Sequence, residues 1–145
     1  MKMTKQEYSE YVNKKSPPSR TGINLLRAFV SGGIICCIGQ LISNGYSSAG
    51  LGKETAGTVT SITLIFIGAL LTGLRVYDKL AKFAGAGTLV PITGFANSIV
   101  APALEFKSEG IVTGMSAKMF VIAGPVLVFG ITASVIYGII YCLVT

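Results

Sequence analysis

The sequence predicts an all-α integral membrane protein with about four membrane-embedded segments, the third Gly/Pro-broken or re-entrant, behind a short polar N-terminal tail. Two observations carry that expectation. Charged residues are confined to short stretches, which leaves the charge-free runs Ala28–Gly52, Thr55–Leu74, Phe83–Leu104 and Met119–Thr145. A hydrocarbon core about 30 Å thick needs roughly 20 apolar residues of helix, so each run is long enough to cross. Composition agrees, with 51% hydrophobic and 12% charged residues and a mean hydropathy of +0.68. A soluble chain of 145 residues would place charges along every exposed helix face.

The tail, residues 1–21, is polar and basic, and Tyr8, Tyr11 and Val12 share one face of a short surface helix that Pro17-Pro18 ends. The membrane domain, residues 22–145, holds segments at about 22–43, 56–76, 83–104 and 117–143. In the first, Arg27 snorkels to the headgroups, Gly32, Gly33 and Gly39 permit close helix approach, and Gln40 bonds across to a neighbour near the far end. The second is a conventional span with a small-residue face at Gly68 and Gly73. The last is long and contains Pro125, where a kink is expected.

The third run, FAGAGTLVPITGFANSIVAPAL, is different in kind. Eight of its 22 residues are Phe, Leu, Val or Ile, against three Gly, two Pro and four hydroxyl or amide side chains. In a helix interior Gly costs about 1 kcal/mol and Pro about 3 kcal/mol relative to Ala. Irregular backbone at membrane depth survives only where protein buries it or water lines it, and such interruptions point to a permeation or binding site. The expectation is two half-elements broken near Pro91 to Gly94, with Gly85, Gly87, Thr88, Pro91, Thr93, Gly94, Asn97 and Ser98 as a substrate path; the alternative is a tightly packed small-residue helix with no pathway role.

Orientation follows from Lys and Arg. The tail carries six basic residues through Arg27 and is expected on the cytoplasmic side. If the third run re-enters, 11 basic residues lie inside and one, Lys53, outside; if it crosses, the split is nine to three. The rule therefore leans towards re-entry.

Several chemistries are disfavoured. The net charge of +6 is accounted for by topology signals and anionic headgroups rather than nucleic acid. There is no His, and Cys36, Cys37 and Cys142 lack metal-ligand spacing, so no metal site, cofactor or enzyme activity is expected. No acidic residue lies well inside an apolar run, which removes the usual carboxylate relay of a proton-driven transporter. Arg75, Lys79 and Lys82, with Asp78, form a charged cluster before FAGAGT that reads either as a topology signal or headgroup contact, or as a basic mouth where backbone N–H groups around Gly85 and Gly87 can receive a carboxylate or phosphate. Gly85-Ala-Gly87 lacks the Lys-Ser/Thr ending of a P-loop. Glu105, Lys107 and Glu109 read as a solvated loop, with contact to a partner protein as the second reading.

The block GLRVYDKLAKFAGAGTLVPITGFANSIV, the earlier AFVSGGIICCIGQ and the loop ALEFKSEG resemble the small sporulation membrane protein family of the stage V A operon. The resemblance covers about residue 14 to the end. It implies passage of dipicolinic acid, with its calcium chelate, across the inner spore membrane, inward during sporulation and outward during germination. It further implies an oligomer or complex with other membrane subunits of the operon and a soluble dipicolinic-acid-binding subunit, and tension-sensitive channel behaviour. It carries no residue-level mechanism.

Overall fold

A computed structural model describes residues 4–16 and 20–144. Lys2 and the Pro17-Pro18 pair, used above for orientation and for ending the tail helix, lie outside the described residues. The described chain is helical: α1 (Lys5–Lys15), α2 (Thr21–Ser48), α3 (Lys53–Gly73), α4 (Tyr77–Ala84), α5 (Ala86–Leu89), α6 (Ile92–Glu105) and α7 (Ala117–Val144). A 3-10 turn at Lys107–Glu109 and a π-helical turn at Ile111–Ser116 join α6 to α7.

α1 starts at a capping box. The Thr4 hydroxyl accepts from the Glu7 N–H, and the Glu7 carboxylate accepts from the Thr4 N–H at 2.8 Å. These backbone and hydroxyl hydrogen bonds hold the Glu7 carboxyl below its usual range. A lowered acid pKa means that the cap is in place at neutral pH and is lost as pH falls through the carboxylate range. Lys14 and Lys15 in the last turn complement the helix dipole.

Three helical stretches are long and apolar enough to cross a membrane: Thr21–Ser48, Lys53–Gly73 and Ile111–Val144. The 21 residues of α3 give about 31 Å of helix, enough for the hydrocarbon core. α7 runs through Pro125 without interruption. The chain is packed inside out relative to a soluble protein. Thr88 is the largest fully buried side chain, while Phe29, Phe66, Leu74 and Phe129 are exposed on the outside. Between helices in lipid there is no hydrophobic drive, so small residues that let backbones approach do the packing. Buried Thr60 and Thr72 satisfy their hydroxyls on the carbonyls of Ala56 and Gly68, each at 2.7 Å.

α2 and α3 are antiparallel neighbours, joined by Gly39 against Leu64 and by a 2.9 Å hydrogen bond between the Tyr46 and Thr63 hydroxyls. The more extensive packing is between α3 and α6. Gly68 lies against Thr93 and Ala96, Thr72 meets Asn97, and Arg75 shares a small cavity with Leu104 and Glu105. Residue numbers rise together along both helices, so α3 and α6 run parallel. Two successive membrane crossings would be antiparallel. α4 brings the chain to the start of α2, where Lys82 and Gly85 lie beside Thr21 and Asn24; α5 then turns it inward, Gly87 meeting Ala28 and Ser31, and α6 returns it to the end from which α3 emerged. The third run is a re-entrant hairpin. With Thr93 level with Gly68, its tip at Val90-Pro91 stands roughly 12 Å above the end of α3, less than half of the hydrocarbon thickness.

α7 then runs antiparallel to α6, with Ala123 buried. Beyond Leu127 every described residue of α7 is exposed. Its second half, about 25 Å long, is therefore uncovered by the rest of the chain.

Candidate functional site

The hairpin is built from two interruptions rather than one. Gly85, at φ +56 and ψ −127, ends α4 in a conformation that a side chain strongly disfavours. Five residues later Val90-Pro91 ends α5, and Pro91, extended at ψ 160, caps α6. The break expected near Pro91 to Gly94 is present at its Pro91 edge; Gly94 is already inside the first turn of α6.

The tip is held shut by close approach of backbones. A Cβ on Gly87 would collide with the Ser31 hydroxyl and the Ala28 carbonyl oxygen of α2. A Cβ on Gly94 would collide with the carbonyl oxygens of Thr88 and Leu89. Tyr77, buried at the start of α4, donates its hydroxyl to the Thr88 carbonyl oxygen at 2.8 Å, with Thr93 Oγ1 3.1 Å away. One side chain thus ties all three pieces of the hairpin. On the α3 side, Thr72 Oγ1 lies 2.9 Å from Asn97 Oδ1.

These contacts divide the expected path residues. Gly87, Thr88, Thr93 and Gly94 are buried and serve packing within the chain. Pro91, Asn97 and Ser98 are half-buried, and Gly85 is exposed. The Ser98 hydroxyl bonds the Phe95 carbonyl oxygen at 2.8 Å, leaving an acceptor site outward. One sequence expectation needs correction. The Gly85 N–H is not free to receive an anion, because it donates to the Ala81 carbonyl oxygen at 2.8 Å as the last bond of α4. Gln40, expected to bond across to a neighbour, instead donates to Asn44 on its own helix at 2.8 Å.

The three cations expected to form a basic mouth do not share one cavity. Lys82 and Gly85 line a cavity of about 440 Å³ with Thr21, Asn24 and Ala28 of α2. Arg27 stacks over the Phe83 ring at 5.0 Å, and Lys118 over Phe106 at 4.7 Å. Arg75 lines a second cavity, about 280 Å³, with Thr72, Asp78 and Glu105. Glu105, Lys107 and Glu109 are exposed where the hairpin returns. Cys36, Cys37 and Cys142 are free thiols, and no cluster of three potential metal ligands occurs among the described residues.

Arg75 has a feature the sequence did not signal. It adopts φ 58, the left-handed position after α3, with its N–H on Thr72 O and the Val76 N–H on Leu71 O. That pattern is the Schellman motif, normally completed by Gly, as Gly50 does after α2. An L side chain there costs about 1–2 kcal/mol. Arg75→Gly is expected to stabilise the protein by about 1 kcal/mol in thermal unfolding in detergent. The mouth would lose a cation in exchange.

The family model described as SpoVAC/SpoVAEB sporulation membrane protein matches residues 24–140. Stage V sporulation protein AC of Bacillus subtilis (strain 168) is 47% identical over 137 residues, covering 94% of this chain and 91% of that protein. No solved structure matches. On these two matches, the chain belongs to the SpoVAC/SpoVAEB sporulation membrane protein family.

Proposed function

We propose that this sporulation membrane protein is a subunit of an inner-spore-membrane channel or transporter for dipicolinic acid, with its calcium. It moves the solute into the forespore during sporulation and out during germination, under the control of membrane tension. Its partners are the other stage V A membrane subunits and a soluble dipicolinic-acid-binding subunit. The observation that carries this reading is the re-entrant hairpin: irregular backbone at membrane depth, reached through α4 with its exposed Lys79 and Lys82. An aromatic dicarboxylate suits cations at the mouth, which raise its local concentration, and neutral groups further in, which do not trap it. Because Gly87, Thr88, Thr93 and Gly94 are spent on packing, Gly85, Pro91, Asn97 and Ser98 are the hairpin residues left to face the solute.

The test is dipicolinic acid accumulation in spores whose only copy carries Lys79→Gln and Lys82→Gln. Both side chains are exposed, so the fold is untouched. Uptake is expected to slow about tenfold, the lower end of electrostatic steering. Normal uptake at normal protein level would instead favour a non-conducting scaffold that anchors the soluble subunits.

Orientation is a second prediction. Lys5, Lys14, Lys15 and Arg20 of the tail and the cations Arg75, Lys79 and Lys82 lie on the cytoplasmic side, the spore core, in this reading. Cys introduced at Ser16 is expected to resist an impermeant thiol reagent until the membrane is opened. Labelling of intact cells would invert the topology.

A further inference from the structure

One polar pair in the membrane domain has no function in the fold. Gln40 Nε2 donates to Asn44 Oδ1 at 2.8 Å, one turn along α2, and both residues are exposed. Their depth is set by the neighbouring Gly39, which packs on Leu64, the twelfth of the 21 residues of α3. Gln40 therefore sits at mid-span. In water an exposed amide pair needs no explanation; at this depth the surroundings are hydrocarbon, which offers no hydrogen bonds.

The mutual bond leaves groups over. Gln40 keeps its carbonyl oxygen and an N–H, and Asn44 keeps both N–H groups. This supply of neutral donors and acceptors matches another copy of itself and matches neither an ion nor a lipid tail. Gly33 and Cys37 lie on the same side of α2 as Gln40 and Asn44, the four within an arc of about 60°. Gly33 has open space around it, so a second backbone can approach. The faces of α2 used within the chain are others, through Gly32 to Gly87 and through Gly39 to Leu64.

We propose that α2 is a homotypic interface: two copies pack α2 against α2 across Gly33, Cys37, Gln40 and Asn44, with the carboxamides bonding across the two-fold axis. Two copies inserted in the same orientation bring Gln40 to the same depth automatically, a match that an unrelated partner would have to reproduce. The inference is independent of which solute passes.

Cys37 provides the test, since Cys36 points about 100° away and Cys142 lies on α7. Full-length protein carrying Cys36→Ser and Cys142→Ser, in liposomes, is expected to form a disulfide-linked dimer with copper phenanthroline. The chain with Cys37→Ser that retains Cys36 and Cys142 is expected to give little. Gln40→Leu with Asn44→Leu, exposed changes that spare the fold, is expected to weaken self-association about tenfold when energy transfer between labelled copies is followed on lipid dilution. Dimerisation through Cys142 alone, cross-linking at Cys37 only to a different protein in native membranes, or unchanged self-association of the double variant would each overturn the proposal. The last would leave the amides facing water or another subunit.

Discussion

Gly87→Ala and Gly94→Ala are each expected to unseat the re-entrant hairpin. The atoms that a new methyl group would meet are mainly backbone: the Ala28 carbonyl for Gly87, and the Thr88 and Leu89 carbonyls for Gly94. A rotamer change cannot relieve such a contact, so the helices must part. Overpacking of this kind costs about 1–3 kcal/mol, and more where backbone must move. Gly130→Ala is the control. Nothing lies within 4 Å of the added atom, and the gain in helix propensity is up to about 1 kcal/mol. The measurement is unfolding of purified protein in detergent. A Gly87→Ala midpoint equal to that of the parent would refute the packing role. This result also changes how transport variants are read. Under the proposed channel reading, loss of transport in a Gly87 variant would report a misplaced hairpin, whereas Ser98→Ala removes a half-buried hydroxyl whose hydrogen bond is local, to Phe95 O.

Tyr77→Phe is expected to cost about 1–3 kcal/mol, because it keeps the ring but removes the hydroxyl that donates to the buried Thr88 carbonyl. The damage should be local. Amide exchange across residues 85–93 should quicken while α2 and α3 keep their protection, since neither depends on the hydroxyl. Uniform exchange throughout the chain would show that Tyr77 is not a fastener of the hairpin.

The three long helices and the broken character of the third run were legible because they depend on local composition: absence of charge for the first, density of Gly and Pro for the second. The direction of α6 was not. It hung on two basic residues, Lys107 and Lys118, in a charge count. The structure decides it through the contacts of Gly68, Thr72 and Arg75 with α6. Gly94 was placed at the break because glycine commonly marks a turn; it lies within α6 and its missing side chain admits the Thr88–Leu89 backbone. Tyr77 and Thr72 carried no signal at all. A tyrosine in a short amphipathic stretch and a threonine in an ordinary span acquire their roles only from partners 11 and 25 residues away. The left-handed backbone of Arg75 was not readable either, since a Schellman turn normally announces itself with glycine.

Because the hairpin turns back below the midplane, the molecule does not have the same girth throughout. At one end of the bundle α2, α3 and α7 are joined by the two legs of the hairpin, α5 and α6, while at the other end only α2, α3 and α7 remain. The two extra legs, each about 10 Å across, make the subunit a wedge. A wedge distorts a flat bilayer and relaxes in a bent one. Under the tension-controlled reading proposed above, such a shape would make the response depend on lateral pressure in each leaflet separately, and on the shape of the lipids there. Any rearrangement that withdraws the hairpin would change the girth of one leaflet alone, which couples this chain to curvature through its shape.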